Sequence, residues 1–214
     1  MLTSLSRRRS PALLLLLHCL CAGLAGAAAV DETISRPAVS VGDAWSYRQT
    51  SLMTQKSGEF SYRVAAVGAD RIRIAAEGYS ESYTPDWNLL ESSAGMKISP
   101  HEGYFDFPLE PGKSYPFRAE RTVAKTRMIW QGTVRVRGWE TIEVPAGSYR
   151  ALRVDINGSF GNGPLSRQAQ LQQSYWWSAE VRRWVRHDLW MSKAASKATD
   201  FHTRTELIRF TPAR

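Results

Sequence analysis

From Gly42 to the C-terminus no stretch keeps apolar residues at helical spacing for three turns. Short segments dense in aromatic and β-branched residues recur instead, with turn residues between them. Such a chain buries its apolar side chains as antiparallel strands, each with one covered face and one wet face. Strands are predicted at 44–52, 59–67, 71–77, 82–90, 113–122, 127–137, 140–144, 148–157, 171–177, 183–191 and 199–210. The predicted fold class is all-β: a single antiparallel curved sheet, or an open or half barrel, of about 10–11 strands with little helix. Tyr62, Val64 and Ala66 should share one face of their strand, and Ile72 and Ile74 one face of the next, with Gly68-Ala69-Asp70 as the hairpin loop. The segment Ser99–Gly112 carries three prolines and two glycines beside Tyr104, Phe105 and Phe107, and reads as a structured loop crossing the core edge. Gly158–Gly163 reads as a flexible loop; no helix start follows it, so it is not a phosphate cradle.

The N-terminus has the three parts of an export signal: Arg7, Arg8 and Arg9, then a Leu-rich run from Ala12 to Leu24, then small residues. Cleavage is expected after Ala29 or Ala27. The run is shorter than the roughly 20 residues a spanning helix needs, so no span should remain after processing. His18 and Leu20 precede Cys19 and Cys21, where lipid attachment requires small residues, and Ser10-Pro11 follows the arginines where a twin-arginine signal prefers an apolar pair. The general secretory route, to the periplasm or the exterior, is the expectation. The domain plan is a signal peptide (1–29, helical), an N-terminal extension (30–41) and a single β domain (42–214). Processing removes both cysteines and three arginines, lowering the formal charge from +8 to +5. The mature chain then has no disulfide or thiol nucleophile, and its core alone must hold it. Its basic residues alternate along strands without clustering, so nucleic acid is not an expected partner.

Searches for chemistry return little. There is no G-x-S-x-G, S-x-x-K or H-E-x-x-H, and no catalytic residue, cofactor or metal site is predicted. His101, His187 and His202 are the histidines beyond the signal. A last hairpin centred near Ala195 would place Asp188 opposite His202, Arg186 opposite Arg204 and Trp184 opposite Glu206. One face would then be a ladder of Trp184, Arg186, Asp188, Trp190, Asp200, His202, Arg204 and Glu206, and the other a core of Val185, Leu189, Met191, Phe201 and Leu207. Asp188 and His202 could be an acid/base pair, part of a metal site whose other ligands the sequence does not nominate, or an ordinary cross-strand charge pair. Trp176 and Trp177 are adjacent, so their rings should point to opposite faces. Trp176, Trp177, Trp184 and Trp190 lie within fifteen residues of one another and, with Asp188 and His202, form the candidate ligand-binding set.

Three segments carry a resemblance: Val144-Pro145-Ala146-Gly147-Ser148-Tyr149 with Ala151-Leu152-Arg153-Val154; Tyr175-Trp176-Trp177-Ser178-Ala179-Glu180-Val181 with Trp184-Val185-Arg186; and Phe107-Pro108-Leu109-Glu110-Pro111-Gly112-Lys113-Ser114-Tyr115. The chain resembles an uncharacterised family of secreted or periplasmic bacterial β-proteins, broadly similar to periplasmic lipoprotein-carrier half barrels. The resemblance implies a curved antiparallel sheet and brings no catalytic residues. Family members more usually carry proline where Ala179 stands and glycine near Arg182.

The leading expectation is a non-enzymatic envelope protein that holds an apolar or amphiphilic ligand in a curved sheet, with a lipid, an amphiphile or an envelope polymer as partner. The alternatives are a glycan- or peptidoglycan-binding module and a hydrolase using carboxylates such as Asp188 or Glu180.

Overall fold

The computed structural model describes residues 33–162, 169–193 and 196–214. The predicted signal helix and its cleavage site lie outside the described residues. Twelve strands follow in chain order: β1 (Ala44–Ser51), β2 (Ser57–Val67), β3 (Ile72–Ala76), β4 (Tyr79–Tyr83), β5 (Leu89–Ser92), β6 (Met96–Ser99), β7 (Ser114–Val123), β8 (Thr126–Val144), β9 (Gly147–Gly161), β10 (Ala169–Ser178), β11 (Arg183–Lys193) and β12 (Ser196–Thr211). Each pairs antiparallel with the next, and β12 pairs with β1, so the all-β sheet closes into a barrel.

Three strand assignments differ from the sequence reading. The segment predicted at 82–90 is broken: β4 stops at Tyr83, and a turn in which Trp87 N–H donates to Thr84 O delivers β5. Four-residue strands such as β5 and β6 are too short to display a period, which explains why the sequence hid them. The segments at 127–137 and 140–144 are one 19-residue strand, β8, bent by a bulge between Val136 and Trp139. A second bulge, between Val64 and Ala66, turns Ala66 to solvent while Val64, Ile72 and Ile74 stay in the core as expected.

The glycines placed in a flexible loop instead continue β9, which runs to Gly161; Gly163 lies outside the described residues. Gly158 sits directly across from Gly132 on β8, and Gly132 from Phe117 on β7. A Cβ on Gly132 would stand 2.1 Å from Asn157 O and 2.8 Å from Phe117 Cε1, and one on Gly158 2.9 Å from Phe117 Cζ. The Phe117 ring therefore occupies the space of two missing side chains and lets the wall curve tightly there.

The loop between β6 and β7 crosses the core edge as its composition suggested and packs into the barrel. Tyr104, Phe105 and Leu109 are buried, with Phe105 edge-on to Tyr175 and Trp177. Asn88 clamps the loop by accepting from Phe105 N–H (2.9 Å) and donating to Phe105 O (2.7 Å). Ile34 bridges to Leu109, fixing the segment before β1 on the same loop.

Asp43 joins the two ends of the domain. Fully buried, its carboxylate accepts from Ser40 N–H (3.0 Å), Ala213 N–H (2.7 Å) and Arg182 Nη1 (3.0 Å) in the β10–β11 turn.

One side of β2 is only partly paired. Val64 exchanges its backbone bonds with Gly42 and Asp43 on the β1 side, so the odd residues Ser57, Glu59 and Ser61 aim theirs toward β3. The β2–β3 ladder covers only Arg63 to Val67, because the β3–β4 hairpin turns back at Glu77-Gly78. The first half of β2 thus edges a gap in the barrel wall.

Three substitutions test this packing. Gly132→Ala is expected to destabilise the fold by about 1–3 kcal/mol in urea titrations, while Gly138→Ala, with nothing within 4 Å of the added carbon, changes it little. Asp43→Ala should cost roughly 2 kcal/mol by leaving three donors unmatched.

Candidate functional site

The barrel encloses a chamber of about 210 Å³. Its wall is built mainly from rings: Phe60 and Tyr62 on β2, Tyr83 on β4, Trp87 in the β4–β5 turn, Phe105 on the inserted loop, Tyr175 and Trp177 on β10, and Trp184 on β11. The rings brace one another: Trp87 lies edge-on to Trp45 at 5.7 Å and tilted to Trp177 at 6.4 Å, while Trp184 stacks on Tyr47 at 4.2 Å. The chamber's charged groups are Arg183, Glu81 and Glu102, and His187 also lines it.

Arg183 is the unusual member. It is 2% exposed, and its guanidinium lies 4.7 Å from the Trp87 ring centre, 4.8 Å from Tyr62 and 5.2 Å from Trp45. Neither Nε nor Nη1 has a hydrogen-bond partner, and no ion pair reaches this arginine among the described residues. Burial opposes its charge, but nearby Tyr47, Tyr83, Tyr62 and Glu81 outweigh this and hold its pKa above the usual value. Two further buried donors on the same wall lack acceptors, Trp87 Nε1 and Trp177 Nε1.

The acids in the chamber are already engaged. Glu81 accepts from the hydroxyls of Tyr79 (2.9 Å) and Tyr83. Glu102 pairs with Arg121 at 2.6 Å, yet burial pushes its pKa up to about 7 against the arginine's pull. The His187 ring stacks flat on Tyr175 at 4.1 Å, with Nε2 2.8 Å from Gln173 Oε1, and burial drives its pKa down to about 3.

The six residues nominated from sequence do not form one cluster. Trp177 and Trp184 line the chamber, and Trp176 does not; the adjacent rings lie on opposite sides of the wall, as alternation required. Trp176 is 5% exposed, lying against Arg153 and Arg186 with Nε1 donating to Glu140 at 2.7 Å. Trp184 leaves the polar ladder because Trp177 pairs with Trp184 but Trp176 with Arg186, so the intervening Val185 bulges.

The register of the last hairpin is two residues from the expected one. Asp188 faces Arg204, Arg186 faces Glu206, and His202 faces Trp190; extra β12 residues beyond Met191 account for the shift. Residues 194–195 and the side chain of Asp200 lie outside those described. Asp188 and His202 are therefore not opposite one another. Asp188 receives paired bonds from Arg186 (3.1 and 2.7 Å) and from Arg204 (both 3.0 Å). Burial opposes its ionisation, but these bonds prevail and hold its pKa below the usual carboxylate range, which removes its value as a proton acceptor. Phe201, assigned to the core, is exposed, and Glu180 sits exposed in the β10–β11 turn.

Arg183, Glu81 and Glu102 went unnoticed in the sequence, although signals existed. Arg183 shares its parity with Val185 and Leu189, which puts a charge in core-facing register. Tyr79-x-Glu81-x-Tyr83 sets an acid between two phenols on one strand face.

No family model matches the chain, and no curated protein matches it by sequence. Solved structures do share its fold. A candidate lipoprotein from Parabacteroides distasonis superposes with a TM-score of 0.54 at 14% identity over 83% of this chain and 98% of its own. The hypothetical lipoprotein YmcC from Escherichia coli does so with a TM-score of 0.51 at 7% identity, over 80% and 86%.

The buried histidine and acid oppose each other in pH. His187 protonates near 6.5 when unfolded and about 3 when folded, so its contribution to stability is lost as the pH falls through that window. Glu102 takes its proton near 7 when folded and near 4.5 when unfolded, so its contribution grows as the pH falls from 7. Each slope is at most about 1.4 kcal/mol per pH unit. In urea titrations between pH 7 and 5, His187→Gln should gain stability on acidification and Glu102→Gln should lose it, with the parent chain between them.

Proposed function

We propose that this chain is an exported protein of the cell envelope that holds a small amphiphilic molecule in its barrel and performs no chemistry on it. The observation that carries this reading is that the chamber and a groove open to the outside share two aromatic side chains. Phe60 and Tyr62 line both the chamber and a groove of about 960 Å³ at the wall gap, where Ala76, Glu77 and Tyr79 form the opposite rim. The chamber is smaller than the roughly 300–1,000 Å³ of ordinary small-molecule sites. One end of a ligand fills it, and the remainder lies along the groove.

Three further observations support the reading. The chamber wall is largely aromatic, its acids are paired, and its histidine is held neutral, so it lacks a free proton acceptor for hydrolysis. The export signal read from the sequence and the lipoproteins of similar fold both suit an envelope setting. Trp176, whose ring faces the outer side of the wall, is covered by arginines and offers no open platform for a glycan.

Native mass spectrometry of the chain purified gently from an exporting cell is expected to show a bound small molecule that denaturation releases. Ala76→Trp, which fills the groove, should reduce its occupancy without lowering the denaturation midpoint. A chain that carries nothing, and whose indole fluorescence ignores octanoate, octanol and lysophospholipid alike, would overturn the proposal.

A further inference from the structure

Four buried hydrogen-bond donors on three residues that line the chamber lack an acceptor: Nε and Nη1 of Arg183, Nε1 of Trp87 and Nε1 of Trp177. All three side chains are more than nine-tenths buried, at 2%, 3% and 0% exposure. A buried guanidinium normally recovers its lost hydration through a carboxylate or a set of carbonyls, and an unmatched donor in a dry site is costly. Here the nearby acids are committed elsewhere, Glu81 to two tyrosine hydroxyls and Glu102 to Arg121. The rings around Arg183 offer their π faces to the cation but no lone pairs for its N–H groups.

We infer that the chamber is an oxyanion site: it binds a group with several acceptor oxygens and a negative charge, a carboxylate or a phosphate, between Arg183 and the two indole N–H groups. The inference rests on the reading of the barrel as an amphiphile carrier and specifies the head group. Arg183 supplies the charge and the planar fork suited to two oxygens, and the indoles supply donors that every acceptor-free head group would leave unmatched. The carboxylate of Glu81 faces the same space and disfavours a second negative charge, which favours a monoanion over a dianion. The apolar part of the ligand runs along the Phe60 and Tyr62 rings, which line both the chamber and the groove.

Calorimetric titration of the full chain with octyl phosphate, octanoate, octanol and inorganic phosphate tests this. Octanoate or octyl phosphate is expected to bind at least tenfold more tightly than octanol, and each to raise the melting temperature. Arg183→Met should erase that preference while keeping octanol binding. Because a caged charge is exchanged for an apolar chain of similar length, its melting temperature should equal or exceed the parent's. Trp87→Phe and Trp177→Phe keep a ring but lose the N–H, and each should weaken anion binding several-fold with little effect on octanol.

Octanol binding as tightly as the two anions would overturn the oxyanion site and leave the carrier reading standing. Inorganic phosphate binding as tightly as octyl phosphate would uphold the oxyanion site and overturn the amphiphile. No binding by any of the four would overturn both. A lowered melting temperature in Arg183→Met, with undiminished anion preference in the two indole variants, would make the arginine a structural cation and end the proposal.

Discussion

The ladder between β1 and β12 is what gives the sheet an inside. It runs from Ala44 opposite Thr211 to Ser51 opposite Thr203 and removes two sheet edges at once. With the ends joined, β1 side chains reach inner partners far along the chain: Trp45 donates to Val181 O at 2.8 Å and Tyr47 to Trp184 O at 2.9 Å. The same closure brings Ala213 onto Asp43 and sets the β10–β11 turn beside them through Arg182. An open sheet would leave Trp45, Tyr47 and Arg183 on a concave surface in water, where a guanidinium needs no particular ligand.

Much of this architecture can be read directly from residue order. The alternation that places Val64, Ile72 and Ile74 inside, and Trp176 and Trp177 on opposite faces, survives intact in the structure. Failures gather where period two is interrupted. Bulges at Ala65, Arg137-Gly138 and Val185 exchange faces within a strand, and four-residue strands carry too little sequence to show a period. Closure itself is a long-range property: nothing local in Ala44–Ser51 specifies that its partner lies some 160 residues on. The chamber was invisible for a related reason, because Arg183, Trp87 and Glu81 come from separate turns and strands and meet only through the barrel.

The interior is organised around a conflict. A core assembled for stability alone would fill the space beside Trp87 and Trp177 with aliphatic carbon and leave no donors unmatched. This barrel instead keeps a guanidinium there and surrounds it with electron-rich faces that moderate its burial without satisfying its N–H groups. Outside the wall, arginines are treated differently. Arg186 and Arg204 share Asp188, and Arg137 and Arg153 share Asp155, so those charges are fully matched. These four outer arginines are matched by carboxylates, whereas two N–H groups of Arg183 inside the barrel have no acceptor among the described residues.

The short β2–β3 ladder also sets how the barrel moves. Four residue pairs hold that seam, where the β7–β8 and β8–β9 seams on the far side of the barrel have ten or more, so opening it costs less than separating those longer ladders. Amide hydrogens of β3 and of the second half of β2 would then exchange with solvent through local opening, while those of β8 and β9 wait for the whole domain. On the carrier reading, a molecule leaving the lumen through this seam would need only the local event, so its residence time would follow the opening of one short ladder and not the durability of the fold.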